Sequence, residues 1–506
     1  MTSTAFKTYT QENGGRVIAL FLLFLLALYS FYSSGFSAFA IICISPLLVL
    51  FIRMIFQYKM LLFWMLFTVN YLIQWKSGPV LPIPVSLPSE MLQISLLIIA
   101  IIDVTERHFN RAGNVMLLSL VCWAIYCTLE MLNDTCGLGF NIGAWYTGAR
   151  MLSFQLIYIF LVFSIYISNP KILIKYLCVW ACFALFAVIW VWKQKTFGFT
   201  EAENSWIQGP GRATHILQAG TLIRYFSIFS DAANYGIAMA STGVAFVIFG
   251  ITAKVKKYKI IFLFIGIACI WGMFPSGTRT ATACMIAGFM AYIFLSKSFK
   301  IAVPFTILFS IFAFILIFTK IGDGNQQIRR MRSAFNKNDA SANVRAMNQQ
   351  VMKKYMKDAP WGIGIGMGWD NVPANNKYRK MATIPPDSEY VFIWLHTGKI
   401  GITVFLILTA IMLIGACWIV FFKLDSPSLR GIGAGFCCAF ISQQLGAYGN
   451  QVLMQFPNGL VFYGGLTIVY ILPFIEKEWI EWESKELAIQ EEKKRLKLEK
   501  KRASRV

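Results

Sequence analysis

Residues 431–475 read GIGAGFCCAFISQQLGAYGNQVLMQFPNGLVFYGGLTIVYILPFI, a run with no Asp, Glu, Lys, Arg or His anywhere in it. A helix crosses the hydrocarbon of a bilayer with about 20 apolar residues, so this run is long enough for two crossings and too long for one. A polar break between them falls at Gly449-Asn450-Gln451. Backbone held in hydrocarbon must satisfy its own N–H and C=O groups, and a helix does so within one segment. The run therefore decides the fold class: an all-α, polytopic integral membrane helix bundle.

The rest of the chain agrees. Residues 17–52 form a second charge-free run, hinged at Ser33-Ser34-Gly35. Apolar stretches of spanning length fall at 16–34, 36–53, 58–75, 89–103, 114–132, 151–168 and 172–192. A second set falls at 235–252, 259–275, 279–296, 300–319, 400–422, 431–448 and 458–475. About fourteen transmembrane helices are predicted. Over 506 residues the chain is 57% hydrophobic and 14% charged. A soluble domain is about 45–50% apolar with glycine included and about 25% charged, so a soluble globular protein is excluded.

The 46 Lys and Arg against 24 Asp and Glu give a net charge of +22. In a soluble chain this would suggest nucleic acid. In a polytopic one, basic residues gather in cytoplasmic connections and near anionic lipid, and no nucleic-acid partner is expected. An even number of helices puts both termini on one side. The connections on that side, at 53–59, 106–111, 171–175, 254–259, 297–300 and 423–430, all carry Lys or Arg, as does the tail from 476. Both termini are therefore placed in the cytoplasm of a multi-pass inner-membrane protein. The tail, 476–506, is expected as a charged, solvated helix on anionic lipid. The first apolar run has no small-residue cleavage site and reads as a retained helix. Of the 11 cysteines only Cys136 lies in a probable loop, so no disulfide framework is expected.

Four connections on the other side are long: 76–89, 133–150, 193–234 and 320–399. The last is long enough for a small helical subdomain, and carries 13 Lys and Arg against six acids. Long loops translocate regardless of charge, and an anionic ligand is the simplest reason for a basic one. Arg329, Arg330, Arg332, Arg345, Lys353, Lys354 and Lys357 read as a solvated basic face, one or two of them contacting glycan or lipid phosphate. No P-loop and no paired-histidine motif occurs among His108, His215 and His396, so neither ATP-driven transport nor zinc chemistry is indicated. The Gly362, Gly364, Gly366, Gly368 run lacks the context of a dinucleotide fingerprint and reads as a flexible turn before a re-entering helix.

Three stretches on that side hold residues able to do chemistry. Arg224 opens RYFSIFSDAAN, ending at Asn234, and Arg279 lies in the turn SGTRT at 276–280. Each is either an arginine that snorkels to the interface or a guanidinium fork for phosphate oxygens. The third comprises WGIGIGMG from Trp361, PPDSEY ending at Tyr390, and WLHTGKIG from Trp394. Trp206, Trp361, Trp369 and Tyr390 would suit sugar faces or the membrane interface, the latter preferred for Trp206.

In their order and sidedness, over about 220–405, these stretches resemble the O-antigen ligase and polymerase family. The resemblance implies a GT-C-like, metal-independent glycosyltransferase without cofactor. Such an enzyme moves a glycan from undecaprenyl diphosphate to an acceptor hydroxyl, with inversion, on the outer face of the membrane. By the same resemblance Arg224 and Arg279 hold the diphosphate, while Asp231, Asn234, Ser388, Tyr390 and Trp361 contact glycan or acceptor. The general base belongs where ligases often carry a His-Asn pair; this chain has Asp387-Ser388. Asp387 reads as that base, as a binder of acceptor hydroxyls or as a helix cap. Glu389 is a second candidate. His396 reads as a proton carrier or as a hydrogen-bonded helix histidine, and His215 is the remaining histidine on that side.

The departure favours a polymerase of lipid-linked repeat units. Transfer to lipid A core or to protein is the alternative, and a polysaccharide-lipid flippase comes from another class. Implied partners are lipid-linked glycan, an acceptor glycan or lipid A core, and membrane lipids, with a chain-length regulator and a flippase as further candidates. The expected organisation is 1–219 as N-terminal helices, 220–475 as the catalytic region with its loop at 320–399, and 476–506 as tail.

Overall fold

The computed structural model describes residues 57–78, 86–103, 109–209, 212–218, 222–297, 340–368, 370–384 and 386–503, with scattered positions in 14–29 and 303–332. The chain forms two compact units, 1–64 and 65–506. The described part of the first unit consists of scattered helical positions between 14 and 29 and the start of helix α1 (Lys59–Leu72).

Among the described residues, the regular structure of the second unit is helical apart from one short antiparallel pair, Leu217–Gln218 with Leu222–Ile223. After α1 come α2 (Leu87–Ile102), α3 (Val115–Leu129), α4 (Ile142–Ala149), α5 (Gln155–Tyr166), α6 (Pro170–Phe197) and α7 (Glu201–Ile207). They are followed by α8 (Ala232–Thr252), α9 (Lys256–Met273), α10 (Arg279–Leu295), α11 (Ala340–Tyr355), α12 (Glu389–Trp418), α13 (Pro427–Gly449) and α14 (Gly464–Ala503). A π-helical turn, Arg150–Phe154, joins α4 to α5 in one span. Among the described residues seven helices are long and apolar enough to cross a membrane, and three shorter apolar helices, α1, α2 and α10, accompany them. With α13 these take up eleven of the fourteen predicted spans. The other three, 16–34, 36–53 and 300–319, fall largely outside the described residues.

Helix starts follow the local sequence. Asn114, Asn169 and Asp231 cap α3, α6 and α8, each accepting from backbone N–H groups of the first turn, and Thr200 with Glu203 forms a capping box on α7. The centre of the bundle is α8 against α9, α10 and α13. Small residues set the approach: a Cβ on Gly435 would lie 2.4 Å from the Phe249 ring, and one on Gly288 2.3 Å from Ser442 Oγ. Such positions let helices pack where hydrocarbon offers no hydrophobic drive. Trp180 lies beside this centre, stacked on Phe436 at 5.8 Å.

Among the described residues, some of the connections that sequence assigns to one side are tied to the tail or to one another. Lys254 pairs with Glu483 at 3.0 Å, Ser426 N–H donates to Glu476 at 2.7 Å, and Arg111 donates to the Ser168 carbonyl at 3.0 Å. The tail is helical, and α14 runs into it unbroken through Pro473. Trp479 and Glu483, four residues apart on one face, are only 3% and 4% exposed. Trp479 donates to Ser428 at 3.0 Å, so the first turns beyond 476 belong to the bundle.

At the opposite end two small cores lie mostly outside the spans. Ile207, Ile216, Phe226 and Ala232 form one. Met352, Met356, Ile363, Val372, Tyr378 and Met381 form the other with Cys136 and Leu395, giving residues 340–388 a hydrophobic centre of their own.

Candidate functional site

Arg224 follows the strand Leu222–Ile223, and its backbone N–H donates to Ile216. Its half-buried side chain reaches the turn before α10, donating from Nε to the Ser276 carbonyl at 3.1 Å and from a terminal nitrogen to Thr278 Oγ1 at 3.0 Å. Gly277 supplies the left-handed residue of that turn (φ 58°), and the Thr278 hydroxyl donates to the Ala232 carbonyl at 3.0 Å. The two arginine stretches are thus interlocked, and Arg224 shapes the turn that carries Arg279.

Arg279 is the first residue of α10, half-buried, in a first turn without an acid. A cation there sits at the positive end of the helix dipole, an arrangement that favours an anion close by. Arg345 from α11 approaches the same place. A Cβ on Gly449 would lie 3.1 Å from Thr280 Oγ1 and 3.8 Å from an Arg345 terminal nitrogen.

Asp231 and Asn234 are both engaged within the protein. Asp231 Oδ1 accepts from Ala233 and Asn234 N–H at 2.7 and 2.9 Å, and Oδ2 accepts from Ser230. It is the N-cap of α8. Asn234 is fully buried, bonded to Ser230 Oγ, to the Phe456 carbonyl and to Asn458. Its amide faces the protein interior.

The Asp387–Tyr390 stretch is pinned to the end of α13 and the segment after it. Ser388, the N-cap residue of α12, donates to the Ala447 carbonyl at 3.0 Å, and Tyr390 donates to Gln444 at 2.8 Å. Glu389, 3% exposed, accepts from Leu453 N–H at 3.1 Å and faces the N–H groups of Val452 and Met454. Its carboxylate holds this segment. Asp387 is half-buried and makes no side-chain hydrogen bond or ion pair among the described residues. Asn450, in the segment that Glu389 holds, donates to Thr280 at 3.4 Å. Through Thr280, Asn450 and Ala447 the arginine turn and the Asp387 segment are therefore tied to the same end of α13.

The glycine run is a turn, as expected, but a tightly packed one. Gly362, Gly364 and Gly366 all have left-handed φ, of 82°, 99° and 82°. Ile363 and Gly364 N–H donate to the Leu395 and His396 carbonyls, where α12 breaks at Gly398. His396 is buried, its Nδ1 3.0 Å from the Gly364 carbonyl and its ring edge-on to Phe392. It belongs to this clamp. Trp361 is half exposed, at 50%, and lies over Tyr126 with ring centroids 6.3 Å apart. Its carbonyl accepts from Asn133.

Trp206 is a packing residue, 5.0 Å from Phe226 and flanked by Lys76 and Arg212. Neither cation carries a motif, and only the hydrophobic pattern around Trp206 hinted that this loop folds. Trp369 and the side chain of His215 lie outside the described residues.

Residues 263–406 match the family model described as O-antigen ligase. The match takes in Arg279, Arg345, Trp361, Asp387, Ser388, Glu389, Tyr390 and His396, and stops short of Arg224, Asp231 and Asn234. It supports an O-antigen ligase/polymerase-like family and, with it, a glycosyltransferase-type membrane enzyme acting on lipid-linked glycan and an acceptor. No curated protein matches the chain.

Proposed function

We propose that the protein polymerises undecaprenyl-diphosphate-linked polysaccharide repeat units on the outer face of the inner membrane, by metal-independent, inverting glycosyl transfer. The observation that carries this reading is the convergence of the Arg279 turn and the Asp387 segment on the end of α13.

Each group has a role that follows from its surroundings. Arg279, at the dipole-positive start of α10 with Arg345 approaching, binds the diphosphate and stabilises the charge that develops as it departs. Arg224 is a positioning residue, because its guanidinium donates from Nε and a terminal nitrogen to the Ser276–Thr278 turn and so fixes that turn. Asp387, unlike Glu389, has its carboxylate available to an acceptor hydroxyl. In the transfer, the acceptor hydroxyl gives its proton to Asp387 as its oxygen bonds to the anomeric carbon from the face opposite the leaving group. The bond from that carbon to the diphosphate oxygen breaks, and the electron pair leaves with the diphosphate. Trp361, exposed over Tyr126, offers a face for a sugar ring.

Asp387-Ser388, in place of a His-Asn pair, favours polymerisation over transfer to lipid A core. The test is purified protein in detergent with lipid-linked repeat unit, a chelator and no nucleotide. A ladder of lipid-linked oligomers is expected. A single transfer that requires added lipid A core would replace the polymerase reading with the ligase one, and translocation without any new glycosidic bond would replace both with a flippase.

A further inference from the structure

Near the N-terminus of α8 lies a cluster that the reaction above does not use. Ser77 and Thr200 share a hydrogen bond of 2.7 Å, which fixes the segment after α1 against the start of α7. This places Lys76 Nζ 4.8 Å from the centroid of Trp206. Arg212 comes to the same indole, its guanidinium carbon 5.1 Å from the centroid and a terminal nitrogen 3.2 Å from the Trp206 carbonyl. Trp206 is held in turn against Phe226, in the core formed with Ile207, Ile216 and Ala232.

Two cations brought to one indole repel each other, and a neighbouring carboxylate would normally neutralise them. Here the nearby acids are engaged elsewhere. Glu203 accepts from Trp190, Gln194 and the Thr200 N–H and lies 3.7 Å from Lys193. Asp231 caps α8. Among the described residues neither Lys76 nor Arg212 has a carboxylate within ion-pair distance, and Lys76 has only a 3.4 Å contact to Gln74 Oε1. Lys76 is half-buried, and burial together with the Arg212 charge lowers its pKa to about 8, against the pull of Asp231. Lys76 is half-buried and Arg212 exposed, and Asp231, which acts on Lys76 without reaching ion-pair distance, offsets their repulsion only in part, so the pair favours an anion.

We propose that Lys76 and Arg212, arrayed on Trp206, form a second phosphate site, which takes the diphosphate of a second lipid-linked glycan. The assignment of that ligand rests on the polymerase reading, since joining two lipid-linked glycans requires two lipid diphosphates to be held at once. A fork-shaped guanidinium and a point-charge ammonium on one rigid ring suit phosphate oxygens. A phospholipid headgroup would present the same chemistry, and the experiment separates the two sources.

Full-length protein in detergent is titrated with glycan-free undecaprenyl diphosphate, and separately with phosphatidylglycerol, and bound lipid is counted by native mass spectrometry. Wild type is expected to bind two undecaprenyl diphosphates, Lys76→Gln/Arg212→Gln one and Arg279→Gln one, with the second site weakened at least tenfold in the first variant. Lys76→Arg, which keeps the charge, should retain it. If the double variant loses phosphatidylglycerol and keeps both undecaprenyl diphosphates, the phosphate site stands and its ligand is a headgroup. Unchanged binding of both lipids overturns the proposal, with thermal unfolding confirming that the variant is folded. Two-site binding by a protein that forms no glycosidic bond would sink the polymerase reading and leave the site. An active polymerase whose binding ignores Lys76 and Arg212 would do the reverse.

Discussion

Gly398 and Gly362 meet backbone to backbone. A Cβ on Gly398 would lie 2.0 Å from the Pro360 carbonyl oxygen and 2.4 Å from Gly362 N, and one on Gly362 would lie 2.5 Å from Gly398 N. Gly398 also breaks α12, with φ 68° and ψ −168°, a region reserved almost entirely for glycine. The loop holding Trp361 and the helix holding Asp387's neighbours are therefore fixed to each other by two residues that have no side chain.

Gly398→Ala is accordingly expected to lower stability by at least about 1–3 kcal/mol from backbone strain alone, with further loss from the clash. Gly368→Ala is the control: a Cβ there meets nothing within 4 Å, and its φ is not left-handed. Thermal unfolding of the two variants in detergent checks this. Equal melting points would mean that the clamp yields to a methyl group.

The two arginines should separate by what they damage. Arg279→Gln is expected to reduce turnover by about 10²–10³-fold, the scale for losing one charge-stabilising donor, with little change in unfolding temperature. Arg224→Lys keeps the charge but loses the fork to Ser276 and Thr278, costing roughly 1–2 kcal/mol of stability and a smaller part of activity. A double-mutant cycle of Arg224→Lys with Thr278→Val should show coupling near 1 kcal/mol. Additive effects would remove Arg224 from the turn.

Asp387 and Glu389 are two residues apart and should behave as opposites. Asp387→Asn leaves no hydrogen bond broken among the described residues, so the fold should hold while transfer falls about 10²–10⁴-fold, as for the loss of a general base. Glu389→Ala strands the N–H groups of the segment after α13 and should cost about 1.5–3 kcal/mol per lost charged hydrogen bond. Steady-state rates set beside melting curves distinguish them. A fully active Asp387→Asn would return the role of base to another group.

The spans were legible in the sequence because hydrocarbon tolerates no charge, and runs such as 431–475 admit one reading. The roles of polar residues were less so, since a carboxylate before a helix reads alike as cap or ligand. Asp231 proved to be a cap because free N–H groups lie two and three residues on. Glu389 was claimed by backbone 64 residues away, a partner that no local pattern announces. In the tail, charge dominates the composition and hides that Trp479 and Glu483 share one buried face. Lys76 and Arg212 were invisible for the same reason as Glu389: the ring that unites them is far from Lys76 in sequence.

The Lys76 site carries a pH signature whose sign can be worked out. In the unliganded protein burial, and then Arg212, hold Lys76 down to about 8, with Asp231 opposing. Glu203, on the helix beneath, is committed to Trp190, Gln194 and Lys193. Below that pKa the ammonium is already present and phosphate affinity should be level. Above it Lys76 is neutral when free, and a bound phosphate must draw a proton back, so affinity should fall by up to about tenfold per pH unit. Lys76→Arg, charged throughout, should bind with a flat profile over the same range. Titration of undecaprenyl diphosphate between about pH 7 and pH 10, where the diphosphate itself is fully ionised, reads this directly. A wild-type curve as flat as that of Lys76→Arg would show that the lysine never touches the phosphate.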